Sequence, residues 1–153
     1  MKTFILILLL TIDIIYSITI VGRVTRVKDG DTIVIDTLTE LVTIRLAEID
    51  TPESKQSYGL AATEFTKAFC LGLIVSADIK TTDRYGRAIA LVSKANGKSL
   101  QEALLKAGMA WHYKQYSYNT YYSILQQVAV KESKGLWSED NPVAPWQYRK
   151  NKR

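Results

Sequence analysis

Three short segments carry the residues that could do chemistry: VKDGDT at 27–32, RLAEIDTPE at 45–53 and DRYGR at 83–87. They supply Asp31, Asp50 and Glu53 together with Arg45 and Arg87, each at the edge of a short strand-like run. Hard carboxylate and carbonyl oxygens hold a divalent cation, and guanidinium forks grip phosphate oxygens. A remaining glutamate can orient or deprotonate a water. The same charges, taken segment by segment, also read as a screened surface cluster worth little. Strict alternation sends Val42, Ile44 and Leu46 to one strand face and Arg45 to the other, so Arg45 and Asp50 would point opposite ways. For the two to share a site the strand must bend or end between them, and Pro52 is a natural place for that to finish. Asp29 reads as the turn-former beside Asp31, bonding its own backbone.

The elements that must position these residues follow from periodicity. Residues 18–27, 32–36 and 42–46 read as strands, with a hairpin signal at Asp29-Gly30 and a short connection at 38–40. A helical period covers 57–70, with Ala61, Phe65, Ala68 and Phe69 expected on the inner face. Strands return at 73–79 and 87–93 around the DRYGR turn. Ser99 and Glu102 form a capping box for a second helix, with Leu100, Ala103, Leu104 and Ala107 inward and Gly108 ending it. A third helix is expected from about Thr120 to Lys134, with Tyr121, Ile124, Leu125 and Val128 inward and Gly135 as its stop. Five closely spaced strands followed by helices point to an α+β domain: a small, mostly antiparallel barrel with helices at its side.

Length and composition agree with one domain. Residues 1–17, with Lys2, the apolar run Phe4 to Leu10 and a small residue at Ser17, read as a signal peptide, with an uncleaved anchor as the alternative. The expectation is a secreted or periplasmic protein, or one tethered to a membrane and facing outward if 1–17 are kept. Removing that segment takes away one charge of each sign and leaves the net charge at +5. Cys70 is the only cysteine, so no internal disulfide forms, and it reads as a buried, inert thiol. The basic tail at 147–153 reads as a frayed end that adds non-specific attraction to phosphate.

The segments VKDGDT (27–32), IRLAEIDTPE (44–53), DRYGR (83–87), ALLKAGMAW (103–111) and GLWSEDNP (135–142) resemble the staphylococcal thermonuclease family, in the same order and at similar spacings. The resemblance spans about residues 20–146 and implies a five-stranded OB-type β-barrel with three helices, here the domain 18–146. Position by position, it implies one calcium ion held by the side chains of Asp31 and Asp50 and the backbone carbonyl of Thr51. Arg45 and Arg87 would bind the scissile 5′-phosphate, and Glu53 would serve as general base. Tyr85 and Tyr113 match positions near the nucleotide pocket. The implied activity is calcium-dependent hydrolysis of DNA and RNA with little sequence preference, leaving 3′-phosphates. The loop after Glu53 is shorter than in the family's founding member, which bears on how the pocket closes. A monomer with no stable protein partner is expected.

A non-catalytic nucleic-acid-binding barrel is the competing reading, but such a module has no physical need for three carboxylates against a phosphate backbone. The run WHYKQYSYNTYY (111–122) interleaves aromatic and basic residues in the manner of a stacking platform. Tyr121 and Tyr122 are expected in the third helix, Trp111 in the core, and Tyr113 and Tyr116 as candidates for base contact. His112 is expected at the surface, and Trp137 and Trp146 are expected to clamp the chain's end onto the domain.

Overall fold

The computed structural model describes residues 18–152; the leader read into 1–17 lies outside them. Five strands close a barrel: β1 (Ile18–Asp29), β2 (Thr32–Asp36), β3 (Leu41–Leu46), β5 (Ile74–Thr82) and β6 (Ala88–Lys94), in the order β1-β2-β3-β6-β5. Every pairing is antiparallel except β3 with β6. β1 does double duty, pairing with β5 through its first half and β2 through its second. Register shifts between Val24 and Arg26, and again between Val27 and Asp29, supply the bend that closure demands. Alternation sends Val24, Ile33, Ile35, Ile44, Leu46, Val75, Ala77, Ala90 and Val92 inward, all at most 1 % exposed.

A second, two-stranded sheet pairs β4 (Ile49–Asp50) with β7 (Trp111–His112). Around the barrel lie α1 (Gly59–Cys70), α2 (Leu100–Lys106), α3 (Thr120–Lys131), a 3-10 turn at Gly135–Ser138 and α4 (Pro145–Asn151). α2 starts with the Ser99 half of the expected capping box, its hydroxyl accepting from the Glu102 amide at 3.3 Å, while the Glu102 carboxylate bonds Lys106 instead. Among the described residues there are four α-helices where three were expected. The segment read as a frayed tail is, through Asn151, part of the fourth.

The inner faces of the helices differ from the periodic reading. On α1 the buried positions are Gly59, Ala62, Thr63, Thr66 and Cys70, with Phe65 and Phe69 only partly buried. Thr66 can be buried because its hydroxyl donates to the Gly30 carbonyl at 2.6 Å. On α3, Tyr122, Leu125 and Ala129 face inward, while Tyr121, Ile124 and Val128 remain about half exposed. On α2, Gln101 and Leu105 join Leu100 and Leu104 in the core, and the Gln101 amide bonds both Ala90 and Val92 of β6. Cys70 is buried as expected, and burial pushes its thiol up to about 11, which leaves it unreactive at neutral pH.

Candidate active site

The site forms where the barrel opens beside β4. β3 ends at Leu46, the chain bends through Ala47 and Glu48, and β4 follows at once. The bend is Glu48, held at φ 67°, and not Pro52. Its carboxylate turns away from the site and accepts from Ser117 and Asn119. With the strand broken there, Arg45 and Asp50 meet: Arg45 Nη2 lies 2.7 Å from Asp50 Oδ1 and 3.4 Å from Asp31 Oδ2. Arg45 Nη1 reaches the carbonyls of Leu46 and Ile49 at 3.2 and 3.4 Å. One guanidinium thus pins the end of β3, the start of β4 and both aspartates.

Asp31 arrives through the hairpin between β1 and β2. The Asp29 carboxylate accepts from the Asp31 amide at 3.1 Å, the self-bonded turn expected of it. Gly30 is not in the left-handed region; it is required by closeness, since a Cβ there would sit 2.7 Å from the Thr51 hydroxyl and 2.9 Å from Ala62. The turn is thereby pressed against Thr51, whose amide donates to Asp31 Oδ2 at 3.0 Å. Asp31 and Asp50 are 6 % and 1 % exposed. Burial and the neighbouring Asp31 charge raise the Asp50 carboxyl, although Arg149 and Arg45 pull it back. Burial and Asp31 likewise push Asp29 up to about 6. Burial disfavours the Arg45 charge, yet the aspartates outweigh it and the guanidinium is raised.

Two buried carboxylates converging on one point, with nothing but oxygen in the donor set, suit a hard divalent cation. Among the described residues no group of three or more His, Cys, Asp or Glu side chains has metal-binding geometry. An ion here would take Asp31, Asp50 and the Thr51 carbonyl, and complete its shell with water or substrate oxygens.

Arg87 lies one residue before β6, which runs parallel to β3 with Arg45 opposite Ile89. The register therefore puts Arg87 and Arg45 on the same outward face, about two residues apart. Asp83 fixes Arg87 by accepting from its Nε at 2.7 Å and from its amide at 3.0 Å. Tyr85 stands beside it, 68 % exposed, with its ring centre 5.6 Å from the Arg87 guanidinium. Lys28, Thr43, Thr82, Tyr85 and Arg87 line a groove there.

Glu53 opens the loop to α1, half-exposed, and its backbone amide is held by the Gln56 side chain at 3.1 Å. Gly59 closes the loop so tightly that any Cβ would overlap the Glu53 carbonyl. Gly59→Ala is therefore expected to push Glu53 outward, at a cost of about 1–3 kcal/mol in stability. Activity should fall further than the melting point explains. Unchanged kcat in a folded variant would contradict this.

Tyr113 has one ring face covered by Trp146, 5.1 Å away and tilted by 2°, and Tyr116 packs edge-on beside it. Burial and the nearby Asp50 charge raise its phenol, against hydrogen bonding from Arg149. Trp111, partly buried, meets Trp137 and Trp146 edge-on, so the two tryptophans clamp the chain's end as expected.

His112 corrects the sequence reading: it is 3 % exposed, with Nδ1 at 2.9 Å from Ser123 and Nε2 at 2.8 Å from Ser117. Burial holds its pKa below the ordinary 6.5. The unfolded chain takes up a proton that the folded ring resists, so stability should decline as pH falls below about 6.5. Melting curves from pH 7 to 5 should show a shallower decline for His112→Gln; equal slopes would locate the effect elsewhere.

One site residue escaped the sequence reading. Arg149 of α4 places Nη2 at 2.7 Å from Asp50 Oδ2 and Nη1 at 2.7 Å from Glu53 Oε1. The signal for it was present: Pro145 at the first helical position starts a helix in which Trp146 and Arg149, three apart, share a face.

Comparison with known proteins agrees with this architecture. Residues 43–139 match the sequence model of the family described as staphylococcal nuclease homologue. An uncharacterized endonuclease of Escherichia coli O157:H7 is 40 % identical over 131 residues, covering 86 % of each chain. The micrococcal nuclease of Shigella flexneri is 31 % identical over 139 residues, covering 84 % of this chain and 80 % of that one. The staphylococcal-like nuclease CAN1 of Arabidopsis thaliana is 41 % identical over 110 residues, 72 % of this chain and 34 % of that longer protein.

Proposed function

We propose, given that this chain belongs to the staphylococcal nuclease family, that its site cleaves phosphodiester bonds of both DNA and RNA using one calcium ion. Nuclease activity as such follows from that membership. Our reading adds little sequence preference, products with 3′-phosphate ends, and export from the cytoplasm on the strength of residues 1–17.

The observation that carries it is the single cluster in which Arg45 holds both Asp31 and Asp50 while Glu53 stands at its rim. A module that only bound nucleic acid would be repelled by three carboxylates unless a cation intervened. In this reading Arg45 and Arg87, on one face of the β3–β6 pair, fork onto the two non-bridging oxygens of the scissile phosphate. Glu53 orients the attacking water and takes its proton as the water oxygen bonds phosphorus. The bond from phosphorus to the 5′-oxygen breaks, and that oxygen leaves as a hydroxyl after taking a proton from solvent. The ion, when bound, offsets charge that builds on the phosphate. Tyr85, with an exposed ring beside Arg87, offers a stacking surface to the adjoining base, and Tyr113 an edge and hydroxyl.

Magnitudes rank these contributions. Unaided phosphodiester hydrolysis is so slow that an enzyme must remove about 15–20 kcal/mol of barrier. A general base supplies about 10²–10⁴-fold, or about 3–5 kcal/mol, so Glu53 is not the main catalyst. Charge stabilisation and positioning by the arginines and the cation carry the larger share.

The test is incubation of the chain from residue 18 onward with single-stranded DNA in millimolar calcium, with excess chelator and Glu53→Gln as controls. Calcium-dependent fragments ending in 3′-phosphate, sharply reduced in the variant, are expected. Binding without cleavage would transfer the protein to the binding-module reading.

A further inference from the structure

The C-terminal segment is strapped across the loop that carries Glu53. Tyr58 shares a hydrogen bond with Ser138 at 2.7 Å, and Ser57 donates to Glu139. Gln56 donates to the Val143 carbonyl, and Tyr148 donates to the Lys55 carbonyl at 3.0 Å. Trp146 anchors the strap from the other side through Tyr113 and Trp111. One helical turn on, Arg149 enters the site and bonds Asp50 and Glu53 together.

An exposed ion pair pinning a chain end would be worth little. This pair is different, because its acceptor Asp50 is 1 % exposed and is held on its other oxygen by Arg45. Both Asp50 oxygens thus accept from guanidinium groups, so a cation drawn to Asp50 competes with two positive charges for its remaining lone pairs. Arg45 is tied to two backbone carbonyls and to Asp31, whereas Arg149 is 40 % exposed and bound to side chains alone, the two carboxylates and the Tyr113 phenol. Arg149 is the one that yields. Its bond to Glu53 keeps the freed fork within reach of the phosphate whose water Glu53 addresses.

We propose that Arg149, delivered by the C-terminal helix, is the third arginine of the site: it holds Asp50 and Glu53 until the calcium ion takes Asp50, then binds the scissile phosphate beside Arg45. This rests on the calcium-dependent nuclease reading above. It gives the short loop after Glu53 its counterpart, since the strap covers the loop's flank.

Calcium binding without substrate, followed by calorimetry, and cleavage of single-stranded DNA at saturating calcium test it together. Arg149→Gln removes the competitor and the fork, so calcium should bind at least threefold tighter while kcat falls at least thirtyfold. Arg149→Lys keeps a charge but no fork, so kcat should fall at least tenfold with calcium affinity near wild type. Melting curves in chelator establish that each variant is folded; should Arg149→Gln not fold, the lysine variant carries the kcat arm. Calcium binding no tighter in Arg149→Gln, or kcat within threefold of wild type in either folded variant, overturns the proposal. A wild type that binds calcium yet cleaves nothing would defeat the nuclease reading, and the calcium arm would still decide whether Arg149 competes for Asp50.

Discussion

Replacing Arg45 by lysine is expected to lower kcat/KM at least a hundredfold, almost as far as alanine does. The loss corresponds to about 2.7 kcal/mol of transition-state stabilisation. Arg45 spends its donors in several directions at once: the Leu46 and Ile49 carbonyls through Nη1, and Asp50 and Asp31 through Nη2. An ammonium is a point charge on a flexible stem and cannot span those acceptors. Arg87→Lys should behave alike for a simpler reason. Asp83 holds Arg87 through Nε, which sets the plane of the guanidinium, and lysine has no Nε to hold. The two variants should separate in stability. Arg45→Lys leaves Asp50, 1 % exposed, with one guanidinium fewer and should melt lower, whereas the Arg87–Asp83 pair is partly solvated and should matter little to folding. Steady-state kinetics beside melting curves reads both effects. More than a tenth of wild-type activity in both lysine variants would defeat the forked-phosphate account.

The barrel was legible because its core residues largely recur at a period of two between turn signals, despite the two register shifts in β1. The core residues Ile33, Ile35, Ile44 and Leu46 stand where alternation puts them. The candidate site was legible in part: Asp31, Arg45, Asp50 and Arg87 are charged residues at strand ends, which singled them out, and the structure brings Arg45 onto Asp31 and Asp50. Their roles came from the family resemblance. The helices were harder. Hydropathy placed Ala61 and Ala68 of α1 inward, but Thr63 and Thr66 are the buried ones, each with its hydroxyl satisfied by a backbone carbonyl. His112 misled in the same way and Gln101 went unread, since a polar residue whose partners are supplied by other elements can be buried. Arg149 was hidden by its neighbours. Within YRKNKR one cation looks like the next, and only the docking of Trp146 against Tyr113 selects which of them enters the site.

Excess chelator is expected to abolish cleavage, by at least a thousandfold, without unfolding the protein. Loss of the ion should not collapse the site, because Arg45 and Arg149 already neutralise Asp31 and Asp50 when they face each other alone. Activity and stability should therefore part company. Cleavage vanishes, while stability falls only by what the ion had added, about 2.7 kcal/mol at a hundredfold excess over its dissociation constant. Restored calcium should recover activity fully. Zinc should not replace it tightly, since the donor set is oxygen alone and offers no imidazole or thiolate. Asp50→Asn should mimic the chelator, because the amide keeps shape but supplies neither the charge the ion needs nor the acceptor Arg149 prefers. Asp31→Asn should fall short of it, since Asp50 still holds an ion in part. Undiminished cleavage in excess chelator would remove the metal from the reaction. The three arginines would then have to account for all the charge stabilisation at the phosphate, and the two buried aspartates would be reduced to their anchors.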